Sequence, residues 1–279
     1  MMTFPIFLAV MGAALLHATW NALVKTGQNK QAAMAILTVM QSVMGLAIVG
    51  FRPWPAAEVW PWLLASGLIH MFYQLFLAYA YELGDLSRVY PIARGAAPLM
   101  VLVFSLIALS DPIATMDYLG IIVLGCGIAL MARGVFAHSE SRRLLLFAFG
   151  SACATAGYTI VDGLGARVSG DPVGYTAWLL IMAAMFYVPS IVVIKGLSVL
   201  RAPLRDWAKI GIAGIISYCA YAMVVWAMTQ APIALVAALR ETSILFAVLI
   251  GWLVFGERMD RGKAIAAILI VAGVVLTRL

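Results

Sequence analysis

Two arginines inside apolar runs are the residues of this sequence best suited to chemistry. Arg94 lies about two turns into the run from Ser87 to Leu109, and Arg240 lies in a similar run from Ala234 to Val254. A run of roughly 20 apolar residues is long enough to cross a bilayer. A guanidinium inserted at that depth costs at least ~2.5 kcal/mol, so each arginine is expected to face a cavity or a partner and not lipid.

The chemistry of arginine suggests two roles for these side chains. A planar guanidinium binds a carboxylate or a phosphate through two parallel hydrogen bonds, which favours an acidic ligand. The alternative is that each arginine pairs with a carboxylate of the chain and stabilises the fold. Both interpretations stay open at the level of the sequence.

Two prolines flank Arg94 and predict a bend in its span. Pro98 cannot donate a hydrogen bond to the carbonyl four residues back, which is the carbonyl of Arg94 itself. Pro91 precedes Arg94 by three residues, and Tyr90 adjoins it. The sequence predicts that Pro91 and Pro98 form a gating bend and that Tyr90 contacts the ligand.

Three further side chains are candidates for carrying protons. Glu241 is predicted to be the only acid deep inside a span, because Asp162 falls near the end of its apolar run. On a continuous helix Glu241 points about 100° away from Arg240, which makes it a poor partner for that arginine. It is a candidate for proton coupling, and the alternative is that it balances a nearby arginine. His17 and His70 lie inside runs and are either proton carriers or hydrogen-bonded structural histidines.

Aromatic residues inside the runs are candidates for the walls of a cavity, because a flat ring with a polar tip suits a binding site. Packing and membrane-interface contacts are the alternative roles. Those assigned to the predicted binding site are Trp20, Tyr73, Tyr90 and Tyr158.

The composition places these residues in a membrane protein. Apolar residues make up 65% of the 279 residues and charged residues only 11%, against about 25% charged in soluble proteins. The net charge of +6 comes from basic residues in short connecting segments, which does not indicate nucleic-acid binding. No GxxxxGK[ST], HExxH or GxSxG motif is present, so the sequence predicts no nucleotide-driven pump, no metal and no cofactor.

Ten apolar runs predict ten transmembrane helices. A lipid-exposed backbone must satisfy its own hydrogen bonds, so an all-α integral membrane protein is expected. The predicted spans are Phe4–Val24, Ala32–Phe51, Trp60–Leu83, Arg88–Leu109, Met116–Phe136, Leu144–Leu164, Val173–Ile194, Ala208–Met228, Ile233–Phe255 and Ala264–Leu276.

The distribution of lysine and arginine predicts the orientation of these spans. The segments after odd-numbered spans hold thirteen of these residues and the other side holds three. Because cytoplasmic loops are enriched in positive charge, the odd-numbered loops are predicted to be cytoplasmic.

The spans divide into two similar halves, residues 1–137 and 138–279. Arg94, Leu99 and Gly127 are matched by identical residues 146 positions later, and Asp111 is matched by Glu257. Ten spans divide into two sets of five, and five is odd, so the second set must be inverted in the membrane. Inverted repeats are typical of secondary transporters, which bind the substrate near the bilayer midplane.

Spans 4 and 9 resemble the EamA family of the drug/metabolite transporter superfamily. The resemblance covers the whole chain and is carried by RGAAPLMVLVFSLIALSD, by RETSILFAVLIGWLVFGER and by the Gly- and Ala-rich last span. It implies an inner-membrane exporter of amino acids or other metabolites. Relatives that carry organophosphates place basic residues in spans 4 and 9, where Arg94 and Arg240 stand here.

The sequence therefore predicts a secondary transporter, not an enzyme, that exports a small anionic or zwitterionic metabolite by alternating access. Its partners are a small-molecule substrate and the bilayer of a bacterial-type inner membrane, without nucleic acid, and proton coupling is a hypothesis. A flippase for lipid-linked headgroups is the main alternative, and an intramembrane enzyme is the least favoured one.

Overall fold

The computed structural model describes residues 2–25, 29–83, 96–109, 111–136, 142–256 and 261–279. Within these ranges the chain forms α-helices joined by short turns, and no strand occurs in them. The helices are α1 (Phe4–Lys25), α2 (Lys30–Val49), α3 (Trp60–Leu83), α4 (Ala97–Ala108), α5 (Thr115–Phe136), α6 (Arg142–Ser169), α7 (Pro172–Lys195), α8 (Leu204–Gln230), α9 (Ile233–Arg240), α10 (Ser243–Phe255) and α11 (Arg261–Leu276).

Most predicted spans coincide with helices of the structure. Seven stretches in the described part of the chain are long and apolar enough to cross a membrane, and the seventh comprises α9 and α10 together. The shorter apolar segments 97–108 and 115–130 belong to α4 and α5. The prediction of a multi-pass, all-helical membrane protein is confirmed.

The ninth predicted span is two helices joined by one tightened turn at residues 241–242, not one regular α-helix as predicted. After Arg240 the chain makes a tight turn in which Glu241 N–H donates to Ala238 O and Thr242 N–H donates to Leu239 O, both at 3.1 Å. The Thr242 hydroxyl donates to the same Leu239 carbonyl at 2.7 Å. Threonine and serine side chains compete with helical hydrogen bonds in this way, so the polar run at 240–243 interrupts an otherwise apolar span.

The fourth predicted span is described only over its second part. Helix α4 begins at Ala97, with Pro98 in its first turn. Proline is tolerated there because the first N–H groups of a helix have no intrahelical partner. Pro98 therefore marks the start of a described helix, whereas the predicted bend at Pro91 lies outside the described residues.

The two halves pack against each other with matching contacts. Helix α1 packs on α8 as the equivalent α6 packs on α3, and α2 packs on α8 as α7 packs on α3. Helices α2 and α7 pair with each other, as do α5 and α11. Exchanging the halves therefore preserves the main helix contacts, and the interior lies between them.

Helices α5 and α11 approach so closely that their backbones touch. A Cβ atom added at Gly273 would lie 2.6 Å from Leu124 N and 2.7 Å from Gly120 O. Small residues at membrane-helix interfaces permit this approach. These glycines act in packing and not in a site.

Candidate functional site

A narrow cavity lies where helices of the two halves meet. Its volume is about 50 Å³, whereas pockets for drug-sized ligands measure about 300–1,000 Å³. The space within these described walls is therefore smaller than a pocket for a drug-sized ligand. The lining side chains come from α1, α2 and α3 of the first half and from α6, α7 and α8 of the second: His17, Trp20, Met34, Leu37, Gln41, His70, Tyr73, Gln74, Tyr158, Leu180, Ser217 and Tyr221.

Aromatic rings form one wall of the cavity around Tyr158. The His70 ring stacks on Tyr158 with 4.2 Å between centroids. Tyr73 and Tyr221 approach the same ring edge-on, at 5.4 Å and 5.9 Å. Because each ring is held by its neighbours, this wall presents a fixed aromatic surface to the cavity.

Hydrogen bonds order the polar groups of the other walls. Trp20 Nε1 donates to His17 Nδ1 at 3.0 Å. Gln41 Nε2 donates to the Ser217 hydroxyl at 3.0 Å, which links α2 to α8 across the two halves. The cavity thus has polar groups from both halves within reach of a ligand.

Arg240 lies at the break between α9 and α10 and is only 1% exposed. Its Nε and Nη2 atoms both donate to Glu241 Oε1, at 3.3 Å and 3.2 Å. Nη2 also lies 3.4 Å from the Thr159 hydroxyl. The prediction that Glu241 is a poor partner for Arg240 is wrong, because the Arg240 side chain reaches Glu241 Oε1 although the two residues are adjacent in the chain.

Tyr158 connects the arginine to the cavity. The Arg240 guanidinium carbon lies 5.9 Å from the centroid of the Tyr158 ring, within cation–π range. Arg240 does not belong to the described lining of the cavity, whereas Tyr158 does. Tyr158 therefore contacts both the cavity and the arginine.

Asp162 is a buried acid that the sequence interpretation placed near a span end. The predicted span stops at Leu164, but α6 continues to Ser169, so Asp162 lies well inside the helix and is 0% exposed. Tyr175 donates to its Oδ1 at 3.4 Å, and Tyr221 donates to its Oδ2. Its position four residues after Tyr158, on the same helix face, is the sequence signal that would have identified it.

A larger cavity of about 600 Å³ lies near the starts of α2 and α8 and shares no described residue with the central one. Arg201, Arg205, Lys209 and Asp206 carry the charges of its wall. A predominantly basic wall attracts anions.

Comparison with models of known protein families identifies the family of this chain. The model of the EamA-like transporter family matches the sequence twice, over residues 4–133 and 142–279. The chain belongs to the EamA-like transporter family. It is thus a membrane transporter of the drug/metabolite transporter superfamily with two EamA repeats.

Other comparisons bear on the fold alone. A solved crystal structure, described only as that of a protein, aligns with a TM-score of 0.77 at 18% identity and covers 98% of this chain and 96% of that one. No curated protein matches the sequence significantly.

The predicted site residues of this EamA chain fall into three groups. Three of the predicted ligand contacts and two of the proton-coupling candidates line the central cavity: Trp20, Tyr73, Tyr158, His17 and His70. Arg240 and Glu241 form the buried pair beside Tyr158. Arg94, Tyr90 and Pro91 lie outside the described residues. Among the described residues no group of three His, Cys, Asp or Glu side chains is arranged to hold a metal ion.

Proposed function

We propose that this EamA protein is a secondary transporter that exports a small anionic or zwitterionic metabolite of the amino acid or organic phosphate and phosphonate class. The two five-helix halves would be inverted relative to each other and would open the central cavity alternately to each side of a bacterial-type inner membrane. The shared cavity walls support this proposal, because three helices of each half contribute to them. Separation of the halves would widen the space that is now about 50 Å³.

The observation that carries the proposal is the buried arginine at a helix break. A charge retained inside a membrane protein is costly and commonly marks a substrate or ion path. Discontinuous helices form the substrate sites of many secondary transporters. Arg240 combines both features, being 1% exposed at the junction of α9 and α10.

Arg240 would bind the acidic group of the substrate. A guanidinium has five N–H donors, so a substrate carboxylate or phosphate would share the arginine with Glu241 or displace it. Tyr158 would pack against the remainder of the substrate, because its ring lies beside both Arg240 and the cavity. Arg94, its counterpart in the sequence of the first half, would supply the second cation.

Further roles follow from the same arrangement. Pro91 and Pro98 would allow the fourth span to move during gating. Glu241, His17 and His70 would couple transport to protons. Glu241 supports this role by its contact with Arg240, because substrate binding at the arginine would change the environment of the carboxylate.

Thermal stabilisation of purified protein tests the proposal. The protein would be heated with amino acids, organic phosphates, phosphonates or cationic drugs, and a ligand at 100 times its dissociation constant adds ~2.7 kcal/mol of stability. We expect anionic or zwitterionic compounds to stabilise the wild type and not the Arg240→Gln variant. Arg278→Gln is the matched control, because Arg278 bonds to the Met2 carbonyl and packs on Phe7 instead of the cavity.

Three outcomes would contradict the proposal. Stabilisation by cationic drugs alone would remove the anionic substrate class. Stabilisation by anions that persists in Arg240→Gln would show that Arg240 is structural. Stabilisation by a lipid-linked headgroup and by no water-soluble compound would favour a flippase.

A further inference from the structure

An ion pair outside the cavity joins two segments that are distant in sequence. Arg167, in the last turn of α6, donates from Nη1 to Asp111 Oδ1 at 2.6 Å and from Nη2 to Asp111 Oδ2 at 3.1 Å. Asp111 follows α4. The side chains are 30% and 13% exposed, and the two parallel bonds are the geometry in which arginine and carboxylate interact most strongly.

The same two side chains also bind the turn between α8 and α9. Arg167 Nε donates to Met228 O at 2.9 Å, and its Nη2 donates to Ala231 O at 3.0 Å. Ile233 N–H, at the first residue of α9, donates to Asp111 Oδ2 at 3.0 Å. The ends of helices have backbone groups without intrahelical partners, and this pair satisfies such groups where α8 ends and α9 begins.

Helix α9 connects this pair to the buried arginine. It consists of the eight residues Ile233–Arg240, and all eight are buried. At 1.5 Å per residue, Arg240 lies about 10 Å along the helix axis from Ile233. A short hydrogen-bonded helix moves as a unit, so the position of its first residue constrains the position of its last.

We propose that Asp111 and Arg167 are positioning residues that hold the short helix α9, and with it Arg240, in the position seen in the structure. Asp111 follows span 4, Arg167 ends span 6, and the α8–α9 turn joins spans 8 and 9, so all three lie on the same side of the membrane. Loss of the pair would release the start of α9 and raise access to its buried face. The inference rests on the proposed function only for the role of Arg240 in transport.

Cysteine labelling tests the release of α9 without a substrate. In a protein whose Cys126, Cys153 and Cys219 are replaced by serine, an Ala237→Cys reporter would sit on α9 at a position that is 1% exposed. We expect N-ethylmaleimide to label this reporter slowly in the parent protein. In the Asp111→Asn variant the rate should rise on the order of tenfold or more, because hydrogen bonds to charged groups are lost.

A second substitution separates this role from that of a simple ion pair. Arg167→Lys keeps the positive charge but loses the planar fork that binds Asp111 and two carbonyls together. We expect it to raise the labelling rate about as much as Asp111→Asn does. An unchanged rate in Arg167→Lys would mean that charge alone suffices and would overturn the positioning role.

The matched control is another ion pair on the same side of the membrane. Arg52 follows α2 and lies 3.6 Å from Asp171 at the start of α7. Arg52→Gln should leave labelling of the Ala237→Cys reporter unchanged. If this control raises the rate as much as Asp111→Asn does, the effect is not specific to the α8–α9 turn and the proposal fails.

A second reporter detects general loosening of the fold. Ala183 lies on α7 and is 0% exposed. Release of α9 should raise labelling of Ala237→Cys and leave that of Ala183→Cys unchanged, whereas an equal rise at both would refute a local role. Normal transport by Arg240→Gln together with the expected labelling would reject the proposed function and leave the positioning role intact.

Discussion

The buried pair of Arg240 and Glu241 leads to a prediction about the stability of the protein. The two side chains are 2% and 0% exposed, so removing one partner leaves an uncompensated charge in the interior. Such a change typically costs ~3–5 kcal/mol, whereas replacing both partners with neutral groups of similar size is often close to neutral. We therefore expect Arg240→Met and Glu241→Gln each to destabilise the protein by about that amount.

The double variant determines whether the two residues act as a pair. Arg240→Met combined with Glu241→Gln should lie within ~2 kcal/mol of the wild type, which gives an interaction energy of at least ~4 kcal/mol in magnitude. The free energy of unfolding would be measured by titration with SDS in mixed micelles. Free-energy changes of the single variants that simply add in the double variant would refute the assignment of an energetically coupled pair.

The transport activity of the double variant separates structure from binding. If Arg240 serves only to neutralise Glu241, a stable double variant should still transport. If the arginine also binds the substrate, as proposed, the double variant should fold and not transport. Flux measured in proteoliposomes, beside the unfolding titration, distinguishes these outcomes.

Three further predictions concern packing, the buried acid and orientation. Gly273→Val should lower stability by ~1–3 kcal/mol, because its side chain would meet the α5 backbone. The control Gly50→Ala has open space around the added methyl group and should be near neutral when both variants are compared by thermal unfolding. Asp162→Leu should cost ~1–3 kcal/mol because it leaves two buried tyrosine hydroxyls without their acceptor, and a melting temperature equal to that of the wild type would contradict this. If the odd-numbered loops are cytoplasmic, an impermeant maleimide should label Phe51→Cys and not Leu197→Cys in intact cells, and the reverse pattern would invert the predicted orientation.

The types of the residues indicated part of the lining of the central cavity. Aromatic and histidine side chains inside apolar runs most often serve packing or binding. Trp20, Tyr73 and Tyr158 line the central cavity. Their partners across the interface could not be predicted in the same way. The bond from Gln41 to Ser217, for example, joins residues that are 176 positions apart.

The breaks and ends of helices were harder to predict than the helices themselves. Hydropathy is nearly continuous from Ile233 to Phe255, so it does not reveal that Thr242 provides an alternative hydrogen bond to Leu239 O. Hydropathy also ends the sixth span at Leu164 because Arg167 is charged, although the helix continues to Ser169. As a result the sequence did not predict two contacts. These are the ion pair between Arg240 and Glu241 and the hydrogen bond from Tyr221 to Asp162.

The two ends of α9 now explain why charges are retained so close to the interior. Each charge inside a membrane protein carries a cost, yet Asp111 and Arg167 bind one end of this helix and Glu241 binds Arg240 at the other. The unsatisfied backbone groups that Asp111 and Arg167 bind lie where α8 ends and α9 begins, and Arg240 pairs with Glu241 at the turn where α9 ends. In the proposed transport cycle these contacts hold both ends of a short helical segment whose position would differ between the two states.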